Sequence, residues 1–180
     1  DLIVSRGLGD VYKRQLMLTN YSLVFQESNR QKSIVAAIKH AESLCMTENQ
    51  NFTALRRLVF EIIWENSVPL GAYEVKSILS RKTNKSVDPP TVYRAIEFLM
   101  GLGLVTKISA LNAFIGCPFP SSTRSNFFMI CNQCKRVAEV SSSEVDNKIK
   151  SIADKLSFAS ERQHIEIFGT CVSCKTDKRI

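Results

Sequence analysis

Two C-x-x-C pairs, Cys131–Cys134 and Cys171–Cys174, separated by residues 135–170, constrain this chain more than anything else in it. Two residues between cysteines make a tight turn that aims two sulfurs at one point. Four thiolates gathered in this way satisfy a tetrahedral ion, and zinc is the ion that takes such a closed structural site. The gap is longer than the ~15–20 residues of short zinc ribbons, so a strand, a helix and a second strand must return the chain to the first pair. A redox dithiol is the alternative. It needs a reactive cysteine at a helix N-terminus to lower its pKa, whereas here the first pair follows a candidate strand. Six cysteines would also suit a disulfide scaffold. Four of the six lie in these pairs, however, and the first residues lack a secretory h-region, so a reducing, cytoplasmic setting is expected. A closed four-sulfur site has no open position. The chain is therefore expected not to be an enzyme, with a C-x-x-C thiol oxidoreductase kept as an alternative reading.

Ahead of the cysteines the periodicity is helical. The stripe Ile34, Ile38, Ala41 and Cys45 marks a first helix over Ser33–Met46, with Cys45 as a core residue. Thr53–Glu65 has Leu55, Leu58, Val59, Ile62 and Ile63 on one face, a capping threonine before it and Asn66 and Pro69 after it, with Trp64 a core or boundary aromatic. Ala72–Arg81 turns Val75, Ile78 and Leu79 inward. Pro89–Pro90 opens TVYRAIEFLMGLG, whose buried face is Val92, Ala95, Ile96 and Leu99 and whose end is set by Gly101 and Gly103. LVTKISA and NAFIG, joined at Leu111–Asn112, read as a hairpin. Helices followed by a two-stranded hairpin describe a winged helix-turn-helix, whose second motif helix enters the major groove.

After Cys117 the texture changes to the linker PFPSST. Strands over Phe127–Ile130 and Val137–Val140, a helix over Ser142–Leu156 with Val145, Ile149 and Ile152 on one stripe, and a strand over His164–Phe168 make a small α/β unit. Such a unit buries little alone, so a metal staple or a partner subunit would help it fold. The expected fold class is α+β: residues 1–31 as a tail or non-native leader, 32–117 as a winged-helix DNA-binding domain, and 118–180 as an α/β dimerisation and zinc domain. The opening DLIVSRGLGDVYKRQ has neither period and reads as translated sequencing adaptor or as a disordered tail. A net charge of +7 suits an acidic partner such as nucleic acid. No apolar run approaches the ~18 residues that would span a bilayer, so no membrane partner is expected, and nothing suggests a small organic substrate.

The segments DPPTVYRAIEFLMGLGLV, AFIGC, FFMICNQCKRVAEV and HIEIFGTCVSC resemble the ferric uptake regulator family, and most nearly its zinc-uptake branch. The resemblance runs over residues 32–175. It implies a homodimeric, metal-dependent repressor that binds palindromic double-stranded operator DNA, with zinc-uptake genes as the controlled set. It also implies one structural Zn2+ held by Cys131, Cys134, Cys171 and Cys174, and a second, regulatory metal between the domains. By position, Tyr73 and Arg94 match residues that contact bases, with Thr91 and Tyr93 beside them. An arginine on a groove-facing helix can bond guanine O6 and N7. Lys76, Arg81, Lys82 and Lys85 are phosphate candidates, each equally well read as solvated charge.

The chain departs from that pattern at the regulatory site. The resemblance implies a histidine in the wing, a cysteine after it, a histidine ahead of the first C-x-x-C and a glutamate beyond it. Thr106, Cys117, Arg124 and Glu139 stand there. Threonine is a poor zinc ligand and arginine has no lone pair to give. Either the site is rebuilt from Cys117, Glu139, His164 and a water or a further side chain, or Arg124 pairs with Glu139 and replaces the metal, leaving a metal-unresponsive regulator. His40 is expected at the surface. Lys135 falls where a turn asks for positive φ, which costs a non-glycine residue about 1 kcal/mol.

Overall fold

In the computed structural model, residues 28–117, 126–160 and 163–176 are described; the leader and Arg124 lie outside them. Four helices come first: α1 Ser28–Thr47, α2 Ala54–Glu65, α3 Ala72–Thr83 and α4 Pro89–Gly101. The stripes read from the sequence are the faces that bury. Val59, Ile62 and Ile63 of α2, Val75 and Leu79 of α3, and Val92, Ala95, Ile96 and Leu99 of α4 meet Ile38 and Ala41 of α1 in one core. Cys45 is buried on the same face of α1. The helix α1 begins five residues before the expected Ser33, and α3 runs on to Thr83, where Asn84 takes a left-handed conformation and ends it. Thr53 caps α2, its side chain accepting from the Arg56 N–H. Gly101 belongs to α4; the turn that stops it is made by Gly103 at φ 68°.

The wing follows as β1 Val105–Ile108 and β2 Ala113–Gly116, antiparallel, joined by a 3-10 turn over Ser109–Leu111 with Asn112 left-handed. Leu70 adds a short third edge, exchanging both backbone hydrogen bonds with Phe114. Trp64 is buried against this hairpin. A Cβ built on Gly116 would sit 2.7 Å from a Trp64 ring carbon and 3.3 Å from its Cα. The strand reaches the helix that closely only because position 116 has no side chain. Gly116→Ala is therefore expected to cost about 1–3 kcal/mol of overpacking, read as an earlier urea midpoint; an unshifted midpoint would show that the tryptophan has room to move.

The C-terminal unit is a three-stranded sheet in the order β4-β3-β5 with one crossover helix. The strand β3 (Asn126–Cys131) pairs antiparallel with β4 (Val137–Ser141) and parallel with β5 (Ile165–Gly169), and α5 (Ser143–Lys155) makes the crossover. Ser142 caps α5 through the Val145 N–H. His164 precedes β5 instead of opening it, and a short helix α6 (Val172–Thr176), not expected from the sequence, carries the second cysteine pair. The expected stripe of α5 needs correction: Ile152 is 50% exposed and its neighbour Ala153 is the buried residue. The architecture is α+β, a winged helix-turn-helix followed by a small α/β unit. The two halves touch through the wing, where Ile108 and Ile115 pack on Phe128, Ile130 and Val137.

Candidate metal centre and nucleic-acid interface

The end of β3, the turn after it and the start of α6 bring the four cysteines together. Cys131, Cys134, Cys171 and Cys174 place their sulfurs within 4.8 Å of one another. The Cys134 and Cys171 sulfurs are 3.8 Å apart. Zinc–sulfur bonds of ~2.3 Å in a tetrahedron put the sulfurs about 3.8 Å apart, whereas a disulfide needs about 2.05 Å. All four thiols are free. The spacing is that of a metal clamp. The parallel register makes it, because Cys131 pairs with Gly169 and so sits two residues from Cys171. The knuckle after β3 closes with the Lys135 N–H donating to Cys131 O at 3.0 Å and Lys135 at φ 58°, the left-handed turn expected there.

The electrostatics of the cluster call for a cation. Burial pushes the Cys131 thiol up, but the N–H groups of Cys171, Cys134 and Gln133 and the Cys134 thiol outweigh it and bring it to about 6. Burial raises Cys134. Cys174 is pushed up to about 12, first by its hydrogen bond with Cys171 and then by burial and the other thiols. One thiolate forms easily and then opposes the rest. A divalent ion at the centre removes that opposition, since all four sulfurs ligate as thiolates. The cluster fits Zn2+, and its closed geometry leaves no position for a substrate. Redox use of the first pair is disfavoured by position, because Cys131 ends a strand instead of starting a helix.

The residues expected to meet DNA lie on the opposite, solvent side of the core helices. Val92, Ala95, Ile96 and Leu99 hold the inner face of α4, which leaves Tyr93 and Arg94 exposed on the outer one; Thr91, in the first turn, is half-buried. Tyr73 stands 69% exposed at the start of α3. Tyr73 and Tyr93 share a cleft of about 180 Å3 with Lys107 and Asn112 of the wing. The sequence reading missed those two wing residues. The available signal was the positive charge of Lys107, the one charged residue of the hairpin, and the turn-forming Asn112. Among the phosphate candidates, Lys82 is engaged by Glu65 at 3.1 Å, while Arg81 and Lys85 are exposed.

The second, regulatory set is less complete. Cys117 is buried just past β2, its N–H donating to Leu104 O at 2.9 Å. Glu139 is half-buried on β4 and Thr106 half-buried on β1. Arg124, and with it the expected pairing to Glu139, lies outside the described residues. His164 is engaged by other groups. Its Nε2 lies 2.6 Å from Glu166 Oε1, and its ring stacks at a tilt on Phe128. Among the described residues, the four cysteines are the one group of three or more His, Cys, Asp or Glu side chains with ligand atoms gathered together. His40 is exposed on α1, as expected.

Comparison with known proteins agrees with this geometry. The family model described as "Ferric uptake regulator family" matches residues 48–168. The zinc uptake regulation protein of Escherichia coli (strain K12) is 30% identical over 138 residues, which is 76% of this chain and 80% of that protein. A zinc uptake regulator solved in complex with zinc and DNA superposes with a TM-score of 0.76 at 27% identity, covering 82% of this chain and 99% of that one. The structure of holo XcZur gives 0.68 at 32% identity, covering 77% of this chain and 96% of that one.

Proposed function

The chain belongs to the ferric uptake regulator family, and from that premise we propose that it is a zinc-dependent transcriptional repressor. It binds palindromic operator DNA as a homodimer in the cytoplasm and controls zinc-uptake genes. The observation that carries this reading is the exposed face of α4, where Arg94 stands in solvent and Tyr93 shares a cleft with Tyr73 and the wing. A winged helix presents this face to the major groove. The relatives support the same reading: one similar structure is a zinc uptake regulator complexed with zinc and DNA. Residues 32–117 form the DNA-binding domain and 118–180 the dimerisation and zinc domain. Cys131, Cys134, Cys171 and Cys174 hold one structural Zn2+, whose part is to tie β3 to α6. Tyr73, Thr91, Tyr93 and Arg94 are the DNA-facing side chains. No residue serves as a catalyst.

The dimer follows from what the C-terminal unit leaves uncovered. The strand β5 is an edge of the sheet. Ile167 and Phe168 on it are exposed, as are Ile152 and Phe158 elsewhere in the unit. An unpaired edge strand bordered by apolar side chains is a template for another chain, and a second copy satisfies both.

The mechanism is occlusion. A metal bound between the domains favours one hinge arrangement, and only a ligand with different affinities for two arrangements can shift them. Cys117 and Glu139 are the residues this chain offers such a metal. Thr106 and Arg124 at the two histidine positions favour a second reading, a regulator that binds DNA without a regulatory metal. Zinc per chain, measured by elemental analysis after equilibration with buffered zinc, separates the two. A value near two supports the sensor; a value near one leaves only the clamp filled. The repressor reading itself is tested by selecting duplexes from a random-sequence pool with the zinc-loaded protein. Recovery of a palindrome is the expected result, and recovery of no sequence above background would overturn it.

A further inference from the structure

The wing and the C-terminal sheet meet through one carboxylate as well as through their apolar cluster. The Ser109 N–H donates to Glu166 Oε1 at 2.6 Å, and the Ala110 N–H donates to Glu166 Oε2 at 3.1 Å. Both donors open the 3-10 turn at the tip of the wing, where a first turn leaves N–H groups without partners of its own. Glu166 arrives from β5 with its side chain 10% exposed. It reaches the wing because of sheet register. Glu166 is paired across from Phe128 on β3, and Phe128 is paired across from Glu139 on β4. These three therefore share one face of the sheet, the face whose Phe128, Ile130 and Val137 pack on Ile108 and Ile115.

The carboxylate is itself held. His164 Nε2 touches Oε1 at 2.6 Å while its ring lies on Phe128, with centroids 5.5 Å apart. Burial raises the Glu166 carboxyl, but the His164 hydrogen bond, the Ala110 and Ser109 N–H groups and the charge of His164 outweigh it, so the group sits below its ordinary value. A half-buried anion with two backbone donors and a histidine is a fixed fork. Charge-assisted hydrogen bonds of this kind are shorter and stronger than neutral ones.

Resting on the repressor reading above, we propose that Glu166 is a positioning residue for DNA binding: its carboxylate fastens the wing to the C-terminal sheet and so sets the angle at which α4 is presented. The two DNA-binding units of a dimer must sit at a fixed spacing to engage two half-sites. A wing held only by its apolar cluster, with the Val137 N–H to Ser67 O bond at 3.4 Å as the other link between the halves, would hold that spacing poorly. His164 belongs to the same device, keeping the carboxylate aimed at the turn. The clamp uses no metal ligand of the four-cysteine site, but the strand that carries it, β5, leads directly into the second cysteine pair.

The test uses full-length zinc-loaded protein and two readouts. Amide hydrogen exchange in the segment spanning Ser109 and Ala110 needs no DNA. Glu166→Ala is expected to speed exchange there about tenfold or more, leaving the segments of α2 and β3 and the zinc content unchanged. Glu166→Gln keeps one acceptor and the shape of the side chain, and is expected to fall between. Affinity is then measured for a duplex selected by the wild-type protein from a random pool, with a loss of about tenfold expected for Glu166→Ala and a partial loss for Glu166→Gln. Unchanged exchange at both amides overturns the inference. So does faster exchange with unchanged affinity, which would reduce the contact to local packing. Should the alanine variant lose zinc, the glutamine variant alone decides by the same criteria. Should the wild type select no duplex, the repressor reading falls and takes the DNA role of Glu166 with it, while the exchange data still report the clamp.

Discussion

Removing the zinc is expected to unfold residues 126–176 while the four helices and the wing stay folded. The C-terminal unit has few buried apolar side chains of its own: Phe127, Phe128, Ile130, Val137, Ala138 and Ala153. The strand β5, which carries the chain to the second cysteine pair, is mostly half-buried or exposed. Zinc binding in small structural sites contributes on the order of ten kcal/mol at neutral pH, several times what such a core supplies. Without it, four crowded sulfurs around Cys131 remain, and their mutual opposition adds to the loss. Chelation should therefore make all four thiols reactive in one step and open the segment after Cys117 to proteolysis, while the core around Ile62, Val75 and Leu99 keeps its protection. Cys171→Ser should reproduce the result. A C-terminal unit that still unfolds cooperatively after the metal has gone would sink the clamp as its main support.

Arg94→Ala is expected to weaken binding to the selected operator by about 5- to 150-fold, the equivalent of about 1–3 kcal/mol for one bidentate arginine–guanine pair. The loss should be confined to sequences with the contacted base and should disappear on unrelated duplex. Arg94→Lys should lose nearly as much, since a point charge does not replace a planar fork. Removing Lys85, exposed at the α3–α4 loop, should instead lower affinity evenly across sequences and flatten the salt dependence. Lys82 should matter less, because Glu65 already holds it. Competition titrations at two salt concentrations distinguish these patterns. Equal losses on operator and unrelated DNA for Arg94→Ala would make it a phosphate contact instead of a base reader.

The clamp at Glu166 also predicts a pH effect. Its folded carboxyl lies below the ordinary value, so its stabilisation is complete above the unfolded pKa and is lost as pH falls through the folded one. Wild type should therefore exceed Glu166→Gln in unfolding stability at neutral pH, and the margin should shrink toward acid. A margin independent of pH would mean that the carboxylate charge contributes nothing.

What was legible in the sequence follows the range of the forces involved. The faces of α2 and α4 read correctly because burial repeats every 3.6 residues within one element, and the Thr53 cap and the Lys135 turn are local too. The four cysteines were legible because spacing within each pair is chemistry and needs no tertiary knowledge. Three things were not. The helix α6 is five residues long, too short to show a period. In α5 the stripe of Val145, Ile149 and Ile152 is legible but not which way it faces, and Ile152 is exposed; a stripe does not tell its own core from a surface awaiting another chain. Glu166 read only as the polar half of an alternating strand. Its meaning depends on register with Phe128 and on a wing turn far earlier in the chain, a pairing that no single-strand pattern contains.

The parallel pairing of β5 with β3 has a consequence for how the protein is made. During synthesis the four helices and the wing emerge first, and their contacts are mostly local, so they can fold on the ribosome. The strand β3 pairs with β4 at once but waits through the whole of α5 for β5, with its other edge unpaired. The wing clamp and the second half of the zinc site both arrive with β5 and the residues just after it. A nascent chain thus owns its winged-helix half before it has any means of aiming it, and metal loading and wing docking fall in the same interval.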